Sequence, residues 1–165
     1  MRRPVAIALV GLACASTIAW SDGESSHRRE VAAWLDVVDA DGPFVLLTDG
    51  RRGSEQRGAL LDAARKRNVA LALPGREDAF VLGHVASETA VGRVQLRQFA
   101  GNRPLLIGTL TLRPDGYWDA SWRLELPPGE GAGSQAGRTA TVQHKTLGGA
   151  VDAGVELAVA RPPRP

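Results

Sequence analysis

The chain has 165 residues, of which 44% are hydrophobic and 5% aromatic, and it carries 20 Lys and Arg against 18 Asp and Glu. This length predicts one domain with a modest hydrophobic core and leaves no room for a second substantial domain. Proteins that bind nucleic acid usually concentrate basic residues in one stripe, whereas the charges here are interspersed along the whole chain, so we expect no nucleic-acid binding.

The amino terminus has the layout of a secretory signal. Two arginines precede an uncharged stretch rich in Ala, Val, Leu and Ile, which ends at Asp22. A basic start, an apolar centre and small residues before a cleavage point define a signal peptide, and we expect cleavage after Ala19. Residues 1–20 are therefore predicted to be a signal peptide, with an uncleaved inner-membrane anchor or a lipid on Cys14 as the alternatives.

Cleavage would leave a domain with neither cysteine nor net charge. Cys14 is the only cysteine in the chain, so the mature protein would form no intramolecular disulfide and no Cys-ligated metal site. Arg2 and Arg3 would also be lost, and the remaining basic residues would then equal the 18 acidic ones in number. The predicted compartment is the periplasm, and contact with the membrane is expected only if the segment is retained.

The domain itself is expected to span residues 31–160, because 21–30 is polar and aperiodic and predicts a linker. Its first element is a mostly buried strand over 31–38, which is rich in β-branched and aromatic residues. Turn residues at 39–43 and an apolar run at 44–47 predict that the chain returns as a hairpin.

A strand–helix–strand unit is predicted next. The Ala- and Leu-rich segment 55–67 is typical of a helix, capped by Ser54 and supported by an ion pair between Asp62 and Lys66. The apolar run 69–73 then predicts a buried strand. This order and spacing predict parallel pairing through a right-handed crossover.

The strongest signal is a hairpin formed by residues 105–112 and 117–126, joined by turn residues at 113–116. One face of its second strand is apolar, and we interpret it as core rather than a ligand groove; it consists of Trp118, Ala120, Trp122, Leu124 and Leu126. The opposite face is polar. It is the predicted interaction face, with Tyr117, Asp119, Ser121 and Arg123 as its candidate residues.

The remaining segments carry weaker signals. Residues 77–100 allow a helix through Val81, Val85, Val91 and Val94. The Gly- and Pro-rich 127–138 predicts a mobile loop, and 161–165 a disordered tail. Helical spacing over 145–160 predicts a closing amphipathic helix, which Gly148, Gly149 and Gly154 each weaken by about 1 kcal/mol relative to Ala. The pattern as a whole predicts an α/β (α+β) fold, a small mixed sheet with a βαβ unit followed by an antiparallel hairpin and with helices packed on one face.

The sequence offers no recognisable catalytic or metal-binding constellation. His27, His84 and His144 are far apart and lack the spacing that places two ligands on one metal. No Gly-x-Ser-x-Gly turn supplies a nucleophile, and Asp39 with Asp41 is interpreted as a turn and not a calcium loop. We therefore name no catalytic, metal-binding or cofactor-binding residue and expect no cofactor. Enzymatic activity is left open, with a non-enzymatic role preferred.

Several segments in this order resemble one protein family. They are Trp34-Leu35-Asp36-Val37, Asp41-Gly42, Leu60-Leu61, Val69 to Pro74, Arg103-Pro104-Leu105-Leu106-Ile107-Gly108 and Gly116-Tyr117-Trp118-Asp119-Ala120-Ser121-Trp122-Arg123-Leu124. The family is the proteobacterial domain of unknown function numbered two thousand and sixty-six, and the resemblance covers about residues 31–160. It implies a fold and an envelope or periplasmic location but no catalytic residues. The chain would be a reduced member without the usual amino-terminal module.

These observations predict a non-enzymatic periplasmic module that binds another envelope protein. One alternative is a hydrolase or small-ligand-binding protein whose site assembles from scattered carboxylates and the loops at 75–78 and 127–138. Facing carboxylates in a concave pocket at those loops would favour it. A second alternative is a structural remnant of a longer protein.

Overall fold

The computed structural model describes residues 28–45, 53–75, 78, 89–127 and 137–160. The predicted signal segment, most of the predicted mobile loop and the predicted tail lie outside the described residues. Among the described residues, no helix is long and apolar enough to cross a membrane.

One mixed sheet organises the described part of the chain. The elements in chain order are β1 (Arg29–Asp39), β2 (Gly42–Val45), α1 (Ser54–Lys66), β3 (Val69–Ala72), α2 (Ala90–Ala100), β4 (Leu105–Leu112), β5 (Trp118–Glu125), β6 (Arg138–His144) and α3 (Leu147–Val159). The strand order is β2-β1-β4-β5-β6, and β3 also pairs with β1. The predicted α+β class with a mixed sheet is confirmed.

The central strand β1 shares one of its edges between two partners. β3 runs parallel to its first part, from Arg29 to Ala32, and β2 runs antiparallel to its last part, from Asp36 to Asp39. β4 runs parallel along the other edge, and β5 and β6 continue the sheet in antiparallel order. Both predicted hairpins are therefore confirmed. The strand after α1 is parallel as predicted, but β3 pairs with β1 and not with β2, the strand directly before α1. The turn between β1 and β2 is also as predicted, since the Asp41 N–H donates to the Asp39 carboxylate at 2.9 Å.

Two hydrophobic clusters lie on opposite faces of the sheet. The larger one contains every second residue of β1 from Val31 to Val37, together with buried residues of α1 and α3. The smaller one contains Ala32 and Trp34 of β1 with Leu96 and Ala100 of α2. Because successive strand residues point to opposite faces, α2 lies across the sheet from α1 and α3. The prediction that the helices pack on one face was therefore wrong for α2. The sequence of β1 does not show this arrangement, because a strand covered on both faces has a continuous apolar run and no alternation.

The ends and surface pairs of α1 differ from their prediction. Gly53 precedes the helix at φ 84° without a side-chain cap, so Ser54 is the first helical residue and not the cap. Glycine reaches this conformation without a steric penalty, and the backbone alone makes the turn into the helix. The predicted Asp62–Lys66 pair was wrong: the Asp62 carboxylate lies 3.1 Å from Arg65, one residue nearer along the same helical surface.

The buried side of α2 is not the valine side. Gly92, Leu96 and Ala100 are buried, whereas Val91 and Val94 are 69% and 59% exposed. Val81 and Val85 lie outside the described residues. The helix begins at a cap that the sequence reading overlooked, because the Thr89 hydroxyl accepts a hydrogen bond from the Gly92 N–H at 2.9 Å.

Two further differences concern the carboxyl-terminal half. β5 ends at Glu125, so Leu126 is 47% exposed and not part of the core as predicted. β6 is a strand that was not predicted at all. Trp118 and Trp122, in contrast, are buried in the core as expected.

Candidate functional site

The sheet face that carries α2 is covered by that helix only in part. Beyond α2, polar side chains from four adjacent strands lie side by side. We call this surface the open face, and it consists of Asp36 from β1, Thr109 and Thr111 from β4, Asp119, Ser121 and Arg123 from β5, and Thr139, Thr141 and Gln143 from β6.

Strand register arranges the open face in rows. One row crosses all four strands, and each of its residues is the register partner of the next: Asp36, Thr109, Ser121 and Thr141. The intervening residues of β5 are buried against the larger core on the other side of the sheet. The core therefore fixes the orientation of the open face, because a shift by one residue would bury its polar side chains.

The structure brings the predicted interaction residues together. Asp119, Ser121 and Arg123 lie on the open face, and Tyr117 immediately precedes β5 at the end of that surface. The Tyr117 carbonyl accepts the Arg113 N–H at 2.8 Å, which closes the hairpin turn. The Lys145 ammonium lies 6.0 Å from the centre of the Tyr117 ring, a favourable cation–π arrangement.

Charged groups on the open face have partners within the protein. The Asp119 carboxylate accepts a hydrogen bond from the Gln143 amide at 3.1 Å, and Arg123 lies 3.1 Å from Glu125. The Asp36 carboxylate accepts a hydrogen bond from the Trp34 indole at 3.0 Å. The surface therefore presents mainly neutral hydroxyl and amide groups, which can donate or accept hydrogen bonds over a broad pH range.

This arrangement does not activate Ser121 as a nucleophile. The residues directly opposite it are Thr109 on β4 and Thr141 on β5's other neighbour, β6. A serine nucleophile needs an adjacent base such as His, and threonine hydroxyls do not supply one. The two register partners of Ser121 therefore supply no base that would activate its hydroxyl.

Sequence reasoning missed the flanking members of the open face. Thr109 and Thr111 alternate with Leu110 and Leu112, a signal that places the threonines on one side of β4. The same alternation exists in β6, where Thr139, Thr141 and Gln143 alternate with Ala140 and Val142. The small apolar residues of β6 made its pattern too weak to notice.

A second feature is a cleft of about 420 Å³ between α1 and α3. Its lining combines small residues with four charged ones, and consists of Ala59, Asp62, Ala63, Lys66, Arg67, Gly148, Gly149 and Asp152. Both Arg67 amino groups contact the Asp152 carboxylate, with Nη2 2.7 Å from Oδ2. This hydrogen bond, assisted by the charges of Asp152 and Glu156, raises the pKa of Arg67 above its ordinary value despite the opposing effect of burial.

The cleft is best explained as the boundary where α1 and α3 pack together, joined by the ion pair between Arg67 and Asp152. Its two carboxylates each face an arginine, since Asp62 pairs with Arg65 and Asp152 with Arg67. Each of these carboxylates is therefore held as the anionic partner of an arginine.

Replacing Asp152 with alanine should lower the free energy of unfolding by about 1 kcal/mol, because a partly buried bidentate pair is lost. Asp62→Ala is the matched control: its pair with Arg65 is mostly exposed, and we expect a change below about 0.5 kcal/mol. Urea unfolding of both variants measures the difference. Equal effects would contradict a special role for the Arg67–Asp152 pair.

The loops assigned to the alternative ligand site are only partly described. Beyond the end of β3, the Asp78 carboxylate accepts the Gly75 N–H at 2.8 Å. Residues 128–136 lie outside the described residues. In the described ranges, no group of three or more His, Cys, Asp or Glu residues is placed to hold a metal ion.

Comparison with protein families and with curated proteins gave no match. The sequence matches no protein-family model, and a search of curated proteins found no match. The resemblance to the proteobacterial domain family therefore stays a prediction.

Proposed function

We propose that the protein is an exported envelope protein that acts as a non-enzymatic periplasmic interaction module. Its partner is another envelope protein, and the open face is the surface that binds it. The single observation that carries this proposal is the open face itself: hydroxyl and amide side chains of three strands, β4, β5 and β6, lie beside α2, and Ser121, Thr139, Thr141 and Gln143 among them are exposed.

Two features of the sequence support the compartment. The first 20 residues have the layout of a secretory signal, and the only cysteine lies within them. A domain without cysteine is compatible with an oxidising compartment. Membership of the proteobacterial domain family, in the reduced form described above, is part of the same proposal.

Fractionation of cells that express the tagged full chain tests the compartment. The amino terminus of the recovered protein is determined by mass spectrometry. We expect a periplasmic form that begins between Ser16 and Trp20. An intact form that begins at Met1 and stays in the cytoplasm would overturn the proposal.

Site-specific photo-crosslinking in cells tests the binding surface. A photoreactive amino acid replaces Ser121 on the open face or, as the control, Glu55 on the exposed side of α1, across the sheet. We expect a discrete protein adduct from position 121 and none from position 55. Adducts of equal yield at both positions, or none at either, would refute binding through the open face.

The hydrolase or small-ligand alternative differs from this proposal in a measurable way. It requires facing carboxylates in a concave pocket at the loops 75–78 and 127–138, of which residues 76–77 and 128–136 lie outside the described residues. The open face also lacks a base opposite Ser121. The alternative of a structural remnant predicts no adduct at all.

A further inference from the structure

One histidine connects the end of β6 to the start of α3. His144 is the last residue of β6, and its Nδ1 atom accepts a hydrogen bond from the Thr146 N–H at 3.0 Å. The Thr146 hydroxyl lies 3.0 Å from the same atom. Thr146 in turn caps α3, because its hydroxyl accepts the Gly149 N–H at 3.2 Å and its carbonyl accepts the Ala150 N–H. His144 therefore holds the residue on which the first turn of α3 depends.

The backbone donor determines the protonation state of this ring. A backbone N–H only donates, so Nδ1 of His144 must accept, and the ring must be neutral with its proton on Nε2. A charged ring carries hydrogen on both nitrogens. The proton on Nδ1 can then be shared with the Thr146 carbonyl, 3.1 Å away, but the Thr146 N–H loses its acceptor and faces a second donor. Protonation therefore exchanges a hydrogen bond for repulsion.

The position of the ring adds to this effect. A Cβ atom at Gly149 would overlap the His144 ring, so the ring lies directly against the backbone of the first turn of α3. The first N–H groups of a helix carry partial positive charge, which disfavours a cation beside them. The ring is also exposed, so that protons reach it from the solvent.

The elements around His144 contribute charged or titratable side chains. They are Lys145 in the connection to α3, Asp152 of α3, Asp62, Lys66 and Arg67 of α1 across the cleft that Gly149 lines, and Tyr117 and Asp119 beside Trp118, the β5 register partner of His144. The two lysines have the same sign as a protonated ring. The three carboxylates already have partners, since Asp62 pairs with Arg65, Asp152 with Arg67 and Asp119 with Gln143. These groups therefore do not reverse the repulsion.

We propose that His144 is a pH-sensitive switch for the first turn of α3. The turn is closed while the ring is neutral and accepts the Thr146 N–H, and it opens as the pH falls and the ring becomes charged. Leu147 in this turn is buried in the larger core, and Gly148 and Gly149 line the cleft beside α1. Opening therefore uncovers apolar surface and widens the cleft. The switch lies on the α3 side of the sheet and does not rest on binding through the open face.

Nitrogen NMR of the histidine rings tests the starting state in the full chain, purified in the form that cells accumulate. The signals of His144 are those missing from a His144→Asn variant. At about pH 7.5 we expect a neutral ring with its proton on Nε2. A ring with its proton on Nδ1 at this pH would overturn the proposal.

Hydrogen exchange measures the opening itself. The amides of Gly149 and Ala150 are the ones that Thr146 holds, and their protection factors, corrected for the intrinsic exchange rate at each pH, report how often the turn opens. We expect both factors to fall about fivefold between pH 7.5 and pH 5. The amide of Val155, deeper in α3, should change less than about twofold. Equal protection of Gly149 at the two pH values would overturn the switch.

His144→Asn is the matched variant, because the asparagine Oδ1 replaces Nδ1 as an acceptor for the Thr146 N–H but does not titrate. Circular dichroism verifies that it folds. We expect its protection at Gly149 and Ala150 to be equal at the two pH values. His27 and His84 remain in this variant, so a fivefold fall that persists in it would assign the pH effect to another group and refute the role of His144.

Discussion

Gly154→Ala will destabilise the domain by about 2 kcal/mol, although alanine is the better helix former. Gly154 lies in α3 directly against Trp122, and a Cβ atom added there would overlap the indole ring. From the adjacent strand, a Cβ at Gly108 would overlap the same ring and would lie 2.8 Å from a Leu35 methyl group. The indole therefore occupies a slot between two glycines.

The ring cannot move aside to relieve this overlap. Trp122 is 1% exposed, and its indole N–H donates to the Ala150 carbonyl at 2.9 Å. A shift would break this hydrogen bond and leave a buried donor without a partner, which is costly in the interior. Alanine at 154 must instead push α3 away from the sheet.

Gly58→Ala in α1 is the matched control, because it makes the same chemical change in mid-helix with no atom within 4 Å of the added Cβ. There the higher helix propensity of alanine should stabilise the domain by about 1 kcal/mol. Urea unfolding of the two variants should give changes of opposite sign. A Gly154→Ala variant as stable as the native chain would contradict the conclusion that the Trp122 ring leaves no space for a Cβ atom at position 154.

The effect of the three α3 glycines on stability could not be predicted correctly from the sequence. From sequence alone, Gly148, Gly149 and Gly154 each weaken the helix relative to alanine. That holds for Gly148, which has open space around it, but Gly149 contacts the His144 ring and Gly154 the Trp122 ring. Close approach between elements distant in sequence decides their effect, and propensity does not contain that information.

Elements with strong local periodicity were predictable. The hairpin of β4 and β5 was found within one residue at each end of its strands, because apolar and polar residues alternate clearly and turn residues separate them. The helices α1 and α3 were also found from their spacing. The βαβ unit followed from the order of its elements and the general preference for short crossover connections.

Features that depend on distant neighbours were not predictable. Residues 31–35 of β1 are all apolar and buried because helices cover both faces there, and the sequence does not say which helix covers which face. The open face was recognised on β5 alone, through Tyr117, Asp119, Ser121 and Arg123. Its extension onto β4 and β6 depends on strand register, and β6 was not recognised as a strand.

The extent of the open face depends on how firmly α2 is attached to the sheet. α2 packs through the smaller cluster, whose buried members are Ala32, Trp34, Leu96, Ala100, Leu105 and Ile107. Trp34 is the largest of them and is fully buried. α1 and α3 share the larger cluster on the opposite face and do not depend on these contacts. The attachment of α2 should therefore respond to Trp34 independently of α3.

Trp34→Ala should lower the free energy of unfolding by about 4 kcal/mol, since a fully buried indole is replaced by a cavity. Because the lost contacts belong to α2, hydrogen exchange should accelerate most in Ala90–Ala100 and least in Leu147–Val159. The milder Trp34→Phe keeps an aromatic ring but removes the hydrogen bond to Asp36. It should show the same pattern in a domain that stays folded.

Trp122→Ala provides the opposite case, because it removes an indole of the same size from the α3 side of the sheet. Its exchange should accelerate most in α3. If α2 and α3 accelerate equally in Trp34→Phe, the two faces unfold as one unit, and α2 cannot define the border of the open face separately. If exchange accelerates in α2 alone, release of α2 would expose Leu105 and Ile107 beside the threonines of β4. The binding surface would then include apolar as well as polar side chains.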